Sequence, residues 1–147
     1  MITIGPPTRE GVEYVAAHMQ REHREECEGA AMTALDALRW SVGGAAVAEM
    51  AERDGVPMAV WGVNPASLIG TQATVWMLGT DALKAHPIAV CKAARRFVER
   101  MHARYPVLEC VTDLRYHTGC AWVEWMGFRE VRRVLAPATI YAIYRRT

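Results

Sequence analysis

No apolar run in the chain reaches the ~18–20 residues that cross a bilayer. The amino terminus, MITIGPPTRE, has no basic stretch followed by an apolar one, so it does not read as a secretory leader. Charge of one sign is also not in excess. Seventeen Lys and Arg stand against sixteen Asp and Glu, a net of +1. Nothing therefore pulls the molecule in bulk toward nucleic acid or an anionic membrane, and neither is expected as its main ligand. Four cysteines, at 27, 91, 110 and 120, are scattered without a Cys-x-x-Cys pair. The close pairs of thiolates or imidazoles that structural zinc requires are missing, so no metal site is expected. Buried, reduced thiols suit a cytoplasmic protein. There is no G-x-S-x-G, H-E-x-x-H, P-loop or dinucleotide fingerprint, which leaves hydrolase, metalloprotease and NTPase chemistry without local support. Repeats, linkers and low-complexity segments are absent too.

What remains is a chain of 147 residues, 52% apolar and 22% charged, suited to one domain spanning 1–147 with a full core. Ile2 to Ile4 reads as a short strand broken by Gly5-Pro6-Pro7. Thr8 can cap a helix whose Val12, Val15, Ala16 and Met19 recur at helical spacing. Residues 21–28, REHREECE, read as a solvated helical extension or turn. Thr33 and Asp36 start a further helix that stops at Gly43-Gly44. The period then shortens to that of a strand. A three-strand meander follows over 45–52, 56–63 and 73–78, with Asp54-Gly55 as its first turn. Pro87 opens the clearest helix, striped by Ile88, Cys91, Ala94, Phe97, Val98 and Met101 and ended by Tyr105-Pro106. Val107 to Thr112 is a buried strand, 116–126 a helix stopped by Gly127, and 128–135 and 139–144 two last strands. The order is β-α-α-β-β-β-α-β-α-β-β, an α/β mixed sheet flanked by helices.

Several residues carry chemistry in this pattern. Glu49, Glu109 and Asp113 are carboxylates on or beside central strands, and His117 lies near the same strand end. Each is a candidate base for a protonated amine, and each also fits an ordinary strand-end or surface charge. Lys84 and His86 precede the long helix, where they could meet phosphate or face solvent. Trp122 and Trp125, three apart in HTGCAWVEWMGFRE, read as core packing or as an aromatic wall. Lys92, Arg95, Arg96, Arg100 and Arg104 make a basic ridge, a solvated face or a contact for an acidic partner.

The strand 107–111, the helix 116–126 and the Gly127-Phe128 ending, set in this order of elements, resemble the GNAT superfamily of acyl-CoA-dependent N-acyltransferases. The resemblance covers nearly the whole chain. Residues 95–106 and 122–128 also resemble a narrower, phage-encoded GNAT-like group related to internal virion proteins. The resemblance implies a sheet that splays between the third meander strand and strand 107–112, with an acyl carrier in the split. It implies acetyl-CoA as cofactor, with strand backbone at Trp76, Met77 and Leu78 pairing the carrier and Lys84, His86 and Ile88 toward its phosphates. Glu109 or His117 would take the amine's proton. Two departures stand out. The glycine-rich cofactor loop of the family reads GTDALKAHP at 79–87, and the family's acidic tyrosine falls on Val123, with Tyr116 about two helical turns away. The implied activity is transfer of acetyl to a small-molecule or protein amine. The other reading is a non-catalytic protein of this fold, a virion component or binding module, with further copies of itself or virion proteins as partners.

Overall fold

A computed structural model describes residues 1–147. Strand β1 (Ile2–Gly5) ends at the Pro6-Pro7 pair, which cannot continue a ladder. Helix α1 (Arg9–Ala17) starts where the Thr8 hydroxyl accepts from the Gly11 N–H at 3.0 Å. Helices α2 (Arg21–Gly29) and α3 (Ala34–Gly43) follow, the latter capped by Thr33, which accepts from Asp36 N–H at 3.1 Å. Strands β2 (Val47–Arg53) and β3 (Val56–Pro65) turn at Asp54-Gly55, both at positive φ, as a tight hairpin demands. Then come β4 (Gln72–Gly79), the single turn α4 (Ala82–Ala85), α5 (Pro87–Arg104), β5 (Val107–Asp113), α6 (His117–Trp125), β6 (Arg129–Leu135) and β7 (Ile140–Arg146).

The seven strands form one sheet in the order β1-β2-β3-β4-β5-β7-β6. Only β4 and β5 run parallel; every other neighbouring pair is antiparallel. The long helix between them supplies the crossover that a parallel pair needs. Both faces of the sheet are covered. Val12 and Val15 of α1 and Leu38 of α3 pack on Met50, Val60 and Leu78. On the opposite face Val90, Phe97, Val98 and Met101 of α5 and Val123 of α6 pack on Ala59, Trp61, Val75 and Leu108. Burying each such large side chain is worth roughly 1.5–3 kcal/mol, so the two layers together hold the sheet. No helix is long and apolar enough to cross a membrane.

The architecture is the expected α/β mixed, splayed sheet. Two elements differ from the sequence pattern. The charged stretch at 21–28 is a helix of its own, because His23 and Cys27, four apart, turn one buried face inward while the charges point out. The connection after β4 is not an open loop. Thr80 accepts from Ala82 N–H through its hydroxyl and from Leu83 N–H through its carbonyl, which winds α4. Leu83 then lies so close over Gly79 that a Cβ there would stand 2.4 Å from it.

Candidate active site

The site begins with a sheet that comes apart. Between β4 and β5 the parallel pairing covers only Gln72, Ala73 and Thr74 opposite Val107, Leu108 and Glu109. Beyond Thr74 and Glu109 the strands separate. Thr80 N–H bonds to Met58 O, and the β3–β4 register has no break, so the even-numbered residues of β4 direct their backbone groups to β3. The odd-numbered ones face the gap. Likewise Leu114 N–H bonds to Ile140 O, which leaves Val111 and Asp113 facing the gap from β5. Met77 and Val111 therefore both turn toward the gap backbone N–H and C=O groups that have no strand partner.

A cavity of about 100 Å³ fills this split. It is bordered by Val75, Trp76 and Met77 on β4, Cys110, Val111 and Thr112 on β5, Phe97 and Val98 on α5, and Trp122, Val123 and Met126 on α6. Thirteen of its seventeen lining residues are hydrophobic, so charge placed inside is weakly screened.

The far end of the split is held by α2. Gly79 N–H, at the end of β4, donates to His23 Nδ1 at 3.0 Å. Asp113 N–H, at the end of β5, donates to Glu26 Oε1 at 3.1 Å. His23 and Glu26 are three apart and share one face of the helix. One short helix thus satisfies the amides of both parted strands, and buried amides must be satisfied. Tyr141 O–H donates to the Glu26 carbonyl at 3.1 Å, and Gln20 N–H donates to Gly79 O at 2.9 Å, which fixes the helix on both sides.

Burial, more than these contacts, sets the protonation of the pair. Burial pushes the His23 imidazole down to about 4, so it is neutral near pH 7. With Nδ1 accepting from Gly79, the proton sits on Nε2. The Gln20 amide nitrogen lies 3.0 Å from each of the two ring nitrogens and 3.3 Å from the Tyr116 hydroxyl, and the Gln20 Oε1 is buried and unpaired. Turning the amide by half a turn lets the oxygen accept from Nε2 and from that hydroxyl. Glu26 moves the other way, up to about 7, chiefly by burial. The Asp113 amide opposes that rise and the nearby Asp113 carboxylate adds to it. Asp113 itself is held below the usual carboxylate range: burial would raise it, but hydrogen bonds from Arg115 and Thr139 outweigh burial. Burial raises the Tyr116 phenol, which remains protonated.

Sequence reading singled out other residues, and their places are now plain. Glu109 is buried in the closed part of the seam and bound by Arg145, whose Nε lies 2.9 Å from Oε2. His117 is exposed at the start of α6 and does not border the cavity. Trp76 and Met77 border it, but Met77 alone of 76–78 aims backbone into the gap. The Trp76 indole donates to Asn64 at 2.7 Å, and Leu78 packs in the α1–α3 layer. Lys84 is paired with Glu22 at 2.9 Å, His86 is in contact with Arg53, and Ile88 is exposed in the first turn of α5. Glu49 is bound by Arg100 and by the Trp61 indole. Trp122 borders the cavity, whereas Trp125 is half exposed beneath the Arg95 guanidinium. In the basic ridge Arg95 also pairs with Glu99. No three His, Cys, Asp or Glu side chains gather to hold a metal ion. Tyr116 and Val123 line the same cavity although two helical turns separate them. His23, Glu26 and the role of Tyr116 were missed; the one local signal was His-x-x-Glu at helical spacing inside a charged run.

Comparison of the fold places it among known architectures. The ribosomal-protein-alanine N-acetyltransferase of Brucella melitensis superposes with a TM-score of 0.72 at 12% identity, covering 98% of each chain. The ribosomal-protein-S18-alanine N-acetyltransferase of Escherichia coli gives 0.70 at 14%, over 99% of this chain and 93% of that one. AAC(6')-Ib, in complex with ribostamycin and coenzyme A, gives 0.70 at 17%, with the same coverage. The fold is that of the GNAT acetyltransferases. At these identities the likeness to GNAT structures is one of architecture. No protein-family model and no curated protein sequence matches the chain.

Proposed function

We propose that this chain is an N-acyltransferase of GNAT type, moving an acyl group such as acetyl from a pantetheine thioester, as in acetyl-CoA, to an amine. The observation that supports this reading is the parting of β4 from β5 after Thr74 and Glu109, which leaves Met77 and Val111 without strand partners beside an apolar cavity.

The residues fit the pantetheine arm of such a donor. Its amides can pair with the free N–H and C=O of Met77 as an added strand would. Most amides of the connection after β4 are not open to a diphosphate. The N–H groups of Gly79, Thr80, Ala82, Leu83 and Lys84 are all bonded within the protein, and Pro87 has none. Contact with the nucleotide end would therefore fall to the first-turn amides of Ile88 and Ala89 in α5 and to side chains such as Arg53 and His86. When bound, the thioester supplies an activated acyl carbon. The chain's own residues position it along β4, exclude water with Phe97, Trp122 and Val123, and offer the Met77 N–H to a carbonyl oxygen. Tyr116, kept protonated by burial, can turn its O–H from Gln20 to the departing sulfur and hand over that proton.

Calorimetry with acetyl-CoA and with S-acetylpantetheine tests this. Both should bind, with dissociation constants within about tenfold, or ~1.4 kcal/mol, of each other. Absence of binding by either at millimolar concentration would end the transferase reading. The self-bonded connection favours a second reading, a non-catalytic protein of the same fold, a virion component or binding module. Binding of acetyl-CoA without thiol release in the presence of any amine would support that one.

A further inference from the structure

The transferase reading leaves open which amine enters and where its proton goes. Glu26 answers to both. It borders the cavity, and among the seventeen lining residues it is the only carboxylate; none is Lys or Arg. Its two oxygens are unlike. Oε1 is fixed by the Asp113 N–H, while Oε2 has no hydrogen-bond partner in the protein. The neighbouring His23 is neutral and fully engaged by Gly79 and Gln20. Asp113 has its charge answered by Arg115 at 2.7 Å. The remaining titratable groups around Glu26 are the thiols of Cys27 and Cys110 and the phenols of Tyr116 and Tyr141, all raised and so uncharged near neutral pH. One unpaired carboxylate oxygen in an otherwise uncharged, apolar lining is a site for one positive charge and no more, because a second charge would be desolvated without a partner.

We infer that Glu26 receives the acceptor: its free Oε2 binds the ammonium and takes one proton, and the lining around it selects primary amines borne on an apolar chain over amines with a second charge. The inference rests on the transferase reading for its chemistry. The ammonium gives one proton to Glu26. The freed nitrogen pair forms the C–N bond as the C–S bond breaks, and the sulfur leaves with that bond's electrons. The sulfur takes its proton from Tyr116, the second proton lost by nitrogen restores the Tyr116 phenol, and Glu26 returns its own to solvent. Glu26 is poised for this, because a carboxyl brought up to about 7 is a far stronger base than an ordinary one and is still half ionised at neutral pH.

The probes are n-butylamine and 1,4-diaminobutane, which differ by one terminal charge. In full-length protein labelled with ¹³C-carboxyl glutamate, the Glu26 signal is identified by its loss in Glu26→Gln, or by its displacement in Glu26→Asp should the first variant not fold. Saturable perturbation of that signal by n-butylamine, at least tenfold more readily than by 1,4-diaminobutane, is expected without any donor present. An unperturbed signal, or equal response to both amines, overturns the inference. With acetyl-CoA added, Glu26→Gln should lower kcat/KM for n-butylamine at least a hundredfold and erase the limb of the pH profile near 7, while acetyl-CoA affinity stays within twofold. Loss of affinity in place of turnover would make Glu26 structural and overturn the inference. Should acetyl-CoA not bind wild-type protein at all, the transferase reading falls, and the amine titration alone decides whether Glu26 is an amine site.

Discussion

The seam between β4 and β5 is two regions with opposite solutions to one problem. In the first, residues 72–74 and 107–109 satisfy one another as a parallel ladder. In the second, the strands diverge and their end amides, on Gly79 and Asp113, are satisfied by His23 and Glu26. The contrast teaches that a sheet can be split only if something else meets the backbone groups it releases. Here the substitute is a pair of ionisable side chains, so a structural need places titratable groups beside a cavity. The middle of the split, at Met77 and Val111, is left without any such substitute, and there a ligand can act as the missing strand.

The contrast can be broken most strongly at His23. His23→Ala removes the acceptor for Gly79 N–H and empties a buried volume, and should cost about 3 kcal/mol at pH 7 by denaturant unfolding. The closed part of the seam should keep its amide protection in that variant. Next comes the pH behaviour of the Glu26 lip. A folded-state pKa raised to about 7 gives stability that is full below about 4.5 and lost as pH rises through 7. Glu26→Gln should therefore gain on the wild type by roughly 2–3 kcal/mol between pH 4.5 and 8. His23, lowered to about 4, has the opposite sign: its stability is present above 6.5 and lost as pH falls through 4. In the wild type the two slopes oppose between pH 4.5 and 6.5, and only the single variants reveal them. A smaller effect is expected at Gly119, where a Cβ would stand 2.5 Å from the Tyr116 ring. Gly119→Ala should cost about 1–2 kcal/mol and move Tyr116 fluorescence or its NMR signals. The least is expected at the exposed Lys84–Glu22 pair: Lys84→Ala should change stability by less than about 1 kcal/mol, and less still in high salt.

The order of elements was legible in the chain because periodicity reports burial. In the long helix Ala94, Phe97, Val98 and Met101 are buried as their spacing requires, while Ile88, at the start of the same stripe, stands exposed; the Asp54-Gly55 turn and the Gly127-Phe128 stop lie where the spacing put them. The splay was legible only through resemblance, since no residue marks where a ladder stops. The α2 helix was obscured because its inward face is made of His23 and Cys27 rather than aliphatic side chains. Most hidden were the partners of His23 and Glu26. They are backbone amides 56 and 87 positions away, and a backbone amide has no letter of its own in a sequence. Glu109 drew notice for the opposite reason. It is a carboxylate on a central strand, but the register sets Arg145 directly across from it, and that neighbour takes its charge.

Because one nine-residue helix grips both strand ends, the two ends are not free to loosen one at a time. Undocking that helix would expose the Gly79 and Asp113 amides together, so the two should trade hydrogen for deuterium with a common opening free energy. Residues remote in the chain would then keep the same clock, and the mouth of the cavity would open as a jaw on a single hinge.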